Sequence, residues 1–92
     1  MDKGQFETLS EFFKALAHPL RVQIVCGLMQ KHECNVNTMV EKLGVPQPTV
    51  SQHLNILKHC GIIEGFRKGN QICYKVVNKQ VEDILKSIIG DL

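Results

Sequence analysis

Tryptophan is missing from this chain, and tyrosine occurs once, at Tyr74, beside four phenylalanines. So few aromatics leave no stacking platform of the kind that single-stranded nucleic acid requires. No run of ~18 apolar residues is present, which excludes a membrane-spanning helix. No basic leader with an apolar segment opens the sequence, so the expected compartment is the cytosol. The four cysteines, Cys26, Cys34, Cys60 and Cys73, are dispersed. None shows C-x-x-C spacing, so a zinc knuckle or ribbon is not expected, and without export neither is a disulfide framework. A strong charge is also lacking: net +2 is too mild to demand a nucleic-acid partner by itself, so the distribution must carry that argument. No repeat, low-complexity segment or linker interrupts the chain. Its 92 residues are expected to form one domain, 1–92, with a modest core.

Hydrophobic periodicity supplies the elements. Phe6, Leu9, Phe13 and Leu16 recur at helical spacing, with Phe12 widening the stripe. His18-Pro19 ends this helix, because proline disfavours helical geometry at the residue before it, and Pro19 suits the first turn of a second helix reaching Gln30. That helix is apolar around most of its circumference, as a central one would be. Asn35 is a cap for a short third helix with Val36, Met39, Val40 and Leu43 on one face, and Gly44 fits its C-terminal stop. Pro46 and Pro48 open the fourth, whose inward stripe is Val50, Leu54 and Leu57. From Ile62 the period changes to a strand, a basic turn Arg67-Lys68-Gly69-Asn70, and a second strand from Gln71. Asn78 caps a last helix in which Val81, Ile84, Leu85, Ile88 and Ile89 repeat. The fold expected is mainly α with a β-hairpin, in the order α-α-α-α-β-β-α.

The fourth helix carries the chemistry. An ordinary surface helix solvates itself with Glu and Lys, whereas this one offers Gln47, Thr49, Ser51, Gln52, His53 and Asn55. Short amide and hydroxyl groups approach closely and form hydrogen bonds, as reading base edges in a major groove requires. A merely solvated polar face is the bland alternative, and Arg67-Lys68 as a solubilising tip its counterpart in the hairpin. The terminal helices have wider apolar stripes than so small a core buries, which points to a two-fold dimer. Enzyme chemistry is not expected. The one adjacent Cys–base pair is His59-Cys60, and neighbouring helical residues do not face each other.

The stretches FKALAHPLRVQIV, PQPTVSQHLNILKHCGII and RKGNQICYKV resemble the ArsR/SmtB family of dimeric bacterial repressors, from about Phe12 onward. The most specific piece is Thr49 to Ile63. The resemblance implies a homodimeric winged helix-turn-helix repressor that binds an operator palindrome in double-stranded DNA. It places DNA-reading residues at Gln47, Thr49, Ser51, Gln52 and His53, and wing contacts at Arg67 and Lys68. Pro46 and Pro48 depart from the family's usual Ser or Thr, so contacts from the helix start fall to the side chains of Gln47 and Thr49. A protein-interaction module that kept this fold without binding DNA is the competing reading.

The effector is less legible. The zinc-type ligand set of the last helix is absent, since Asn78 and Gln80 occupy its first positions and no histidine follows Tyr74. The Cys-rich motif at the start of the helix-turn-helix is reduced to Cys34. No metal or cofactor is therefore expected. Cys26 sits where sulfide- and oxidant-responsive relatives have their first redox cysteine, and the second position falls past Leu92. Cys60 matches one thiolate of a cadmium- and lead-sensing relative whose partner position is Ile56 here. For Cys26 and Cys60 a packing role competes with a thiol switch. Cys73 and His18 are expected to be structural.

Overall fold

A computed structural model describes residues 1–30 and 35–90. Its elements are α1 (Lys3–Leu16), α2 (Pro19–Met29), α3 (Val36–Leu43), α4 (Gln47–His59), β1 (Ile63–Lys68), β2 (Gln71–Val76) and α5 (Lys79–Ile89). This is the expected order, a winged helix-turn-helix. Local chemistry sets most boundaries. Asp2 and Gln5 form a reciprocal capping box at the head of α1, Asn35 accepts from the Thr38 N–H at 2.8 Å, and Asn78 accepts from the Val81 N–H at 3.1 Å. Gly44 closes α3 in the left-handed region at φ 67° and leads through Val45 to Pro46, the extended residue before α4.

The far end of α4 turns sharply into the wing. The Gly61 N–H donates to Lys58 O at 3.1 Å and the Ile62 N–H to Leu57 O at 3.0 Å, with Gly61 at φ 75°. These are the two bonds of a Schellman motif, and the fully buried Ile62 supplies its usual apolar contact. The core lies beneath α4: Ile24, Val25 and Leu28 of α2, Met39 of α3, Val50, Leu54 and Leu57 of α4, Ile62 and Ile63, and Val81 and Leu85 of α5 form one cluster. Cys73 is buried, and its backbone makes an isolated antiparallel bridge with Asn35, extending the hairpin by a single rung.

The hairpin differs from expectation in its turn. Pairing runs from Ile63↔Val76 through to Lys68↔Gln71, leaving only Gly69 and Asn70 in the loop, with Gly69 at φ 64°. Glycine adopts that conformation without the Cβ cost, and a two-residue loop suits the twist of paired strands. Arg67 and Lys68 are thus strand residues near the tip rather than turn residues. Gly65 has its own reason: a Cβ there would meet the Tyr74 ring at 3.3 Å and Ile72 Cγ2 at 3.4 Å. No described helix is long and apolar enough to cross a membrane.

Candidate nucleic-acid interface

Four-residue and three-residue steps along α4 separate two faces. Val50, His53, Leu54 and Leu57 point inward and are buried, whereas Pro48, Gln52, Asn55 and His59 form an exposed stripe. Gln47 lies beside this stripe and is exposed, and its Nε2 donates to Ser51 Oγ at 3.1 Å. Thr49 and Ser51 are half-buried at the margins. Amides therefore dominate the outward surface of the first two turns. Pro46 gives α4 no side-chain cap, and Pro48 has no N–H to offer, so the helix head presents side chains rather than backbone donors.

His53 departs from the expected set. Only 9% of it is exposed, and its Nδ1 accepts a hydrogen bond from Arg21 Nε at 3.2 Å. It completes the i, i+3, i+4, i+7 stripe begun by Val50, so it faces α2 and not outward. Arg21 also donates through Nη1 to Ala15 O at 3.1 Å and Lys14 O at 3.3 Å, satisfying carbonyls in the last turn of α1. The His18 ring lies 4.4 Å from that of His53, tilted by 49°. His18 is structural, as expected: its Nδ1 accepts from the Leu20 N–H at 3.1 Å and caps α2. Burial pushes the pKa of His53 below the ordinary histidine value, and the positive potentials of His18 and Arg21 add to the effect. Sequence reasoning missed Arg21. The signal was available, because it is the single charged residue in Pro19–Met29 and a charge on such a helix needs partners.

On the wing, Arg67 stands opposite Ile72 and Lys68 opposite Gln71, and both cations are exposed. Consecutive strand residues project to opposite faces, so the two charges flank the ribbon rather than share a side. Further down the ribbon Lys75 is occupied, 3.5 Å from Glu64 and 5.6 Å from the centre of the Phe66 ring. Of the cysteines, Cys60 is exposed at the C-terminal cap of α4, Cys26 is half-buried, and Cys73 is buried. Burial raises the pKa of the Cys26 thiol, which disfavours the nucleophilic thiolate. Cys34 lies outside the described residues. Among the described residues, no group of three or more His, Cys, Asp or Glu side chains is placed to hold a metal ion.

Away from this surface, α1 exposes Phe6, Leu9 and Phe13, and α5 exposes Ile88 and Ile89. An open groove of about 560 Å³ runs along the first half of α1, where Met1, Gly4, Leu9 and Phe12 meet Gln80 at the head of α5.

Comparison with known proteins agrees with this architecture. Residues 18–64, from the head of α2 into β1, match the model of the bacterial regulatory proteins of the arsR family. The chain is 39% identical over 84 residues to the HTH-type transcriptional repressor SmtB of Mycobacterium tuberculosis; that match covers 91% of this chain and 62% of the relative, so the chain spans about three fifths of its length. The crystal structure of the transcriptional repressor PagR of Bacillus anthracis superposes with a TM-score of 0.81 at 34% identity, covering 95% of this chain and 99% of that one. The homodimeric winged helix-turn-helix DNA-binding domain from Mycobacterium bovis superposes with a TM-score of 0.82 at 27% identity, covering 94% and 79%. The first two of these relatives are named as transcriptional repressors, and the third as a possible ArsR-family transcriptional regulator. By sequence and by fold, the chain belongs to the arsR family of bacterial regulatory proteins.

Proposed function

We propose that the chain is a homodimeric transcriptional repressor that binds double-stranded DNA at an imperfect palindrome. The observation that carries this reading is the exposed amide surface of α4, with Gln47 and Gln52 outward and the apolar stripe inward. A glutamine amide matches the N6 donor and N7 acceptor of adenine, and one such bidentate pair is worth ~1–3 kcal/mol of discrimination. Thr49 and Ser51 flank these amides, and Arg67 and Lys68 supply phosphate contacts from the wing. One α4 reads only a half-site. A two-fold dimer sets two of them about one DNA turn, ~34–36 Å, apart. The exposed apolar residues of α1 and α5 are the surface that would hold it, in keeping with the homodimeric state named for the M. bovis relative.

Release is proposed to involve a thiol-reactive effector: an oxidant, a sulfide species, or a soft metal or metalloid. The candidates are Cys60, Cys26 and Cys34. Cys60 is the most accessible described thiol and caps the C-terminal end of the reading helix, next to His59.

The test is selection of duplexes from a randomised library, followed by titration of the selected duplex and a scrambled one. Gln52→Ala should weaken selected-duplex binding by roughly ten- to a hundredfold, as loss of one base-reading pair implies, and leave scrambled-duplex binding nearly unchanged. Equal loss on both would remove Gln52 from base reading. No salt-sensitive duplex binding at all would favour the winged fold as a protein-interaction module.

A further inference from the structure

We propose that Arg21 is the positioning residue of the reading helix, seating α4 through a hydrogen bond that only a neutral His53 ring accepts, so that selective DNA binding fails in acid. This rests on the DNA-binding reading above and deepens it. Arg21 comes from α2 and joins three helices through one guanidinium. Its Nη1 is anchored on Ala15 O and Lys14 O of α1, and its Nε donates to His53 Nδ1 of α4. A guanidinium is a rigid planar fork, so fixing one end on α1 fixes the direction of the other.

His53 is the buried side chain that follows Gln52 in the chain. Any roll of α4 that brings the ring out to solvent carries Gln52 and Gln47 away from their outward bearing. The head of α4 has no side-chain cap, so this bond and the apolar stripe set its rotation. Two rings share the junction, and in both the Nδ1 accepts: from Arg21 Nε in His53, from the Leu20 N–H in His18. An accepting Nδ1 places the proton of the neutral His53 ring on Nε2.

The groups facing His53 leave its protonated form unsupported. α2 presents the Arg21 guanidinium and the α1–α2 junction the His18 ring, while the nearby Arg21 also engages the Lys14 and Ala15 carbonyls of α1. The Lys14 amine is turned to Glu11 at 3.3 Å. A proton on Nδ1 removes the acceptor and places a second positive charge against Arg21. The lowered pKa of His53 agrees with this arrangement. The expected sign is distinctive. Ordinary protein–DNA attraction strengthens as a protein gains positive charge in acid, whereas seating through His53 weakens selective binding over the same interval.

The experiment uses the full chain, the duplex selected by the wild type at about pH 8, and a scrambled duplex. Wild-type affinity for the selected duplex should fall progressively below about pH 6.5, by several-fold towards about pH 5, while scrambled-duplex affinity holds or rises. In His53→Gln the ratio between the two pH values should collapse towards one. Arg21→Lys keeps the charge but loses the fork, and should weaken selected-duplex binding at about pH 8 by roughly tenfold with little change on the scrambled duplex. On the free protein, nuclear magnetic resonance should show the Nε2–H tautomer of His53, and Arg21→Gln should raise its titration midpoint. This readout needs no DNA and holds if other variants prove unstable. Selective binding that is flat in acid, a pH dependence retained in His53→Gln, or a His53 midpoint indifferent to Arg21 would each overturn the inference while leaving DNA binding intact. A wild type that binds no duplex would instead overturn the proposed function, and this inference with it.

Discussion

Replacing Phe6 by alanine tests the apolar face of α1 where it is most open. The side chain is 58% exposed in the protomer, so the substitution removes little from the core, and alanine is the best helix former at a mid-helix site. Complete burial of a phenylalanine side chain is worth roughly 1.5–3 kcal/mol. A little over half of that remains to be gained, about 1–1.7 kcal/mol per copy if the interface covers the ring. A two-fold interface counts each substitution twice, so the dimer should weaken by roughly 2–3.5 kcal/mol, or about 30- to 300-fold in dissociation constant. Sedimentation equilibrium of wild type and variant over a wide concentration range measures this directly, with helical content as a check on folding. DNA affinity at low protein concentration should drop as well, because a half-site alone is held weakly. A wild-type dimer whose dissociation constant is unmoved by Phe6→Ala would refute the assignment of this face.

Further outcomes follow from the wing, the junction and the thiols. Arg67→Ala should lower affinity for selected and scrambled duplexes alike, and should reduce the slope of log K against log salt by about 0.9 for each phosphate no longer neutralised; an unchanged slope would remove Arg67 from the DNA backbone. Because the folded-state pKa of His53 lies below its unfolded value, the unfolded chain takes up this proton first as pH falls. The stability this group contributes is complete above about pH 6.5 and declines below it, which urea titration across that range would detect and His53→Gln should diminish. With a thiol reagent at mildly alkaline pH, Cys60 should react well before Cys26 and Cys73 in the folded protein, and the reverse order by mass spectrometry would contradict their burial. If replacing all four cysteines by serine leaves release from DNA by every thiol-reactive compound unchanged, the thiol-directed effector is excluded.

Most of the fold is legible in the sequence because its determinants are local. Asn35 and Asn78 cap the helices they precede, Gly44 directly follows Leu43 at the end of the α3 stripe, and Gly61 follows the Cys60 cap of α4. The hairpin turn reads too wide from sequence because strand pairing is a property of two segments. Arg67 and Lys68 look like turn residues until Ile72 and Gln71 are found opposite them. His53 shows a different failure. Its position in the Val50, His53, Leu54, Leu57 stripe is readable, but its polarity suggests the outward face. What makes an imidazole acceptable inside is a donor from thirty-two residues away, Arg21, and no single stretch of sequence displays that pairing. Cys73 contrasts with it: its place on the strand between Ile72 and Tyr74 already suggests packing, and it is buried.

The two ends of α4 are held by different means, and the difference suits a helix that must enter a groove. Its far end is locked by the Schellman bonds at Gly61 and Ile62, and by the buried apolar contacts of Leu57 and Ile62. Its head carries Pro46 and Pro48, which pre-set backbone geometry without supplying a side-chain cap. A Ser or Thr cap there would stabilise the helix by ~1 kcal/mol, yet its hydroxyl would be committed to the helix's own N–H groups. With prolines in those places, Gln47 and Ser51 bond to each other, at 3.1 Å, and that exposed pair can be exchanged for contacts with a base at small cost. Rigidity at the base of α4 and exchangeable hydrogen bonds at its head are what base reading requires. The junction of Arg21 and His53 sits between them, where the proposed loss of one hydrogen bond on protonation would shift the outward bearing of the amides.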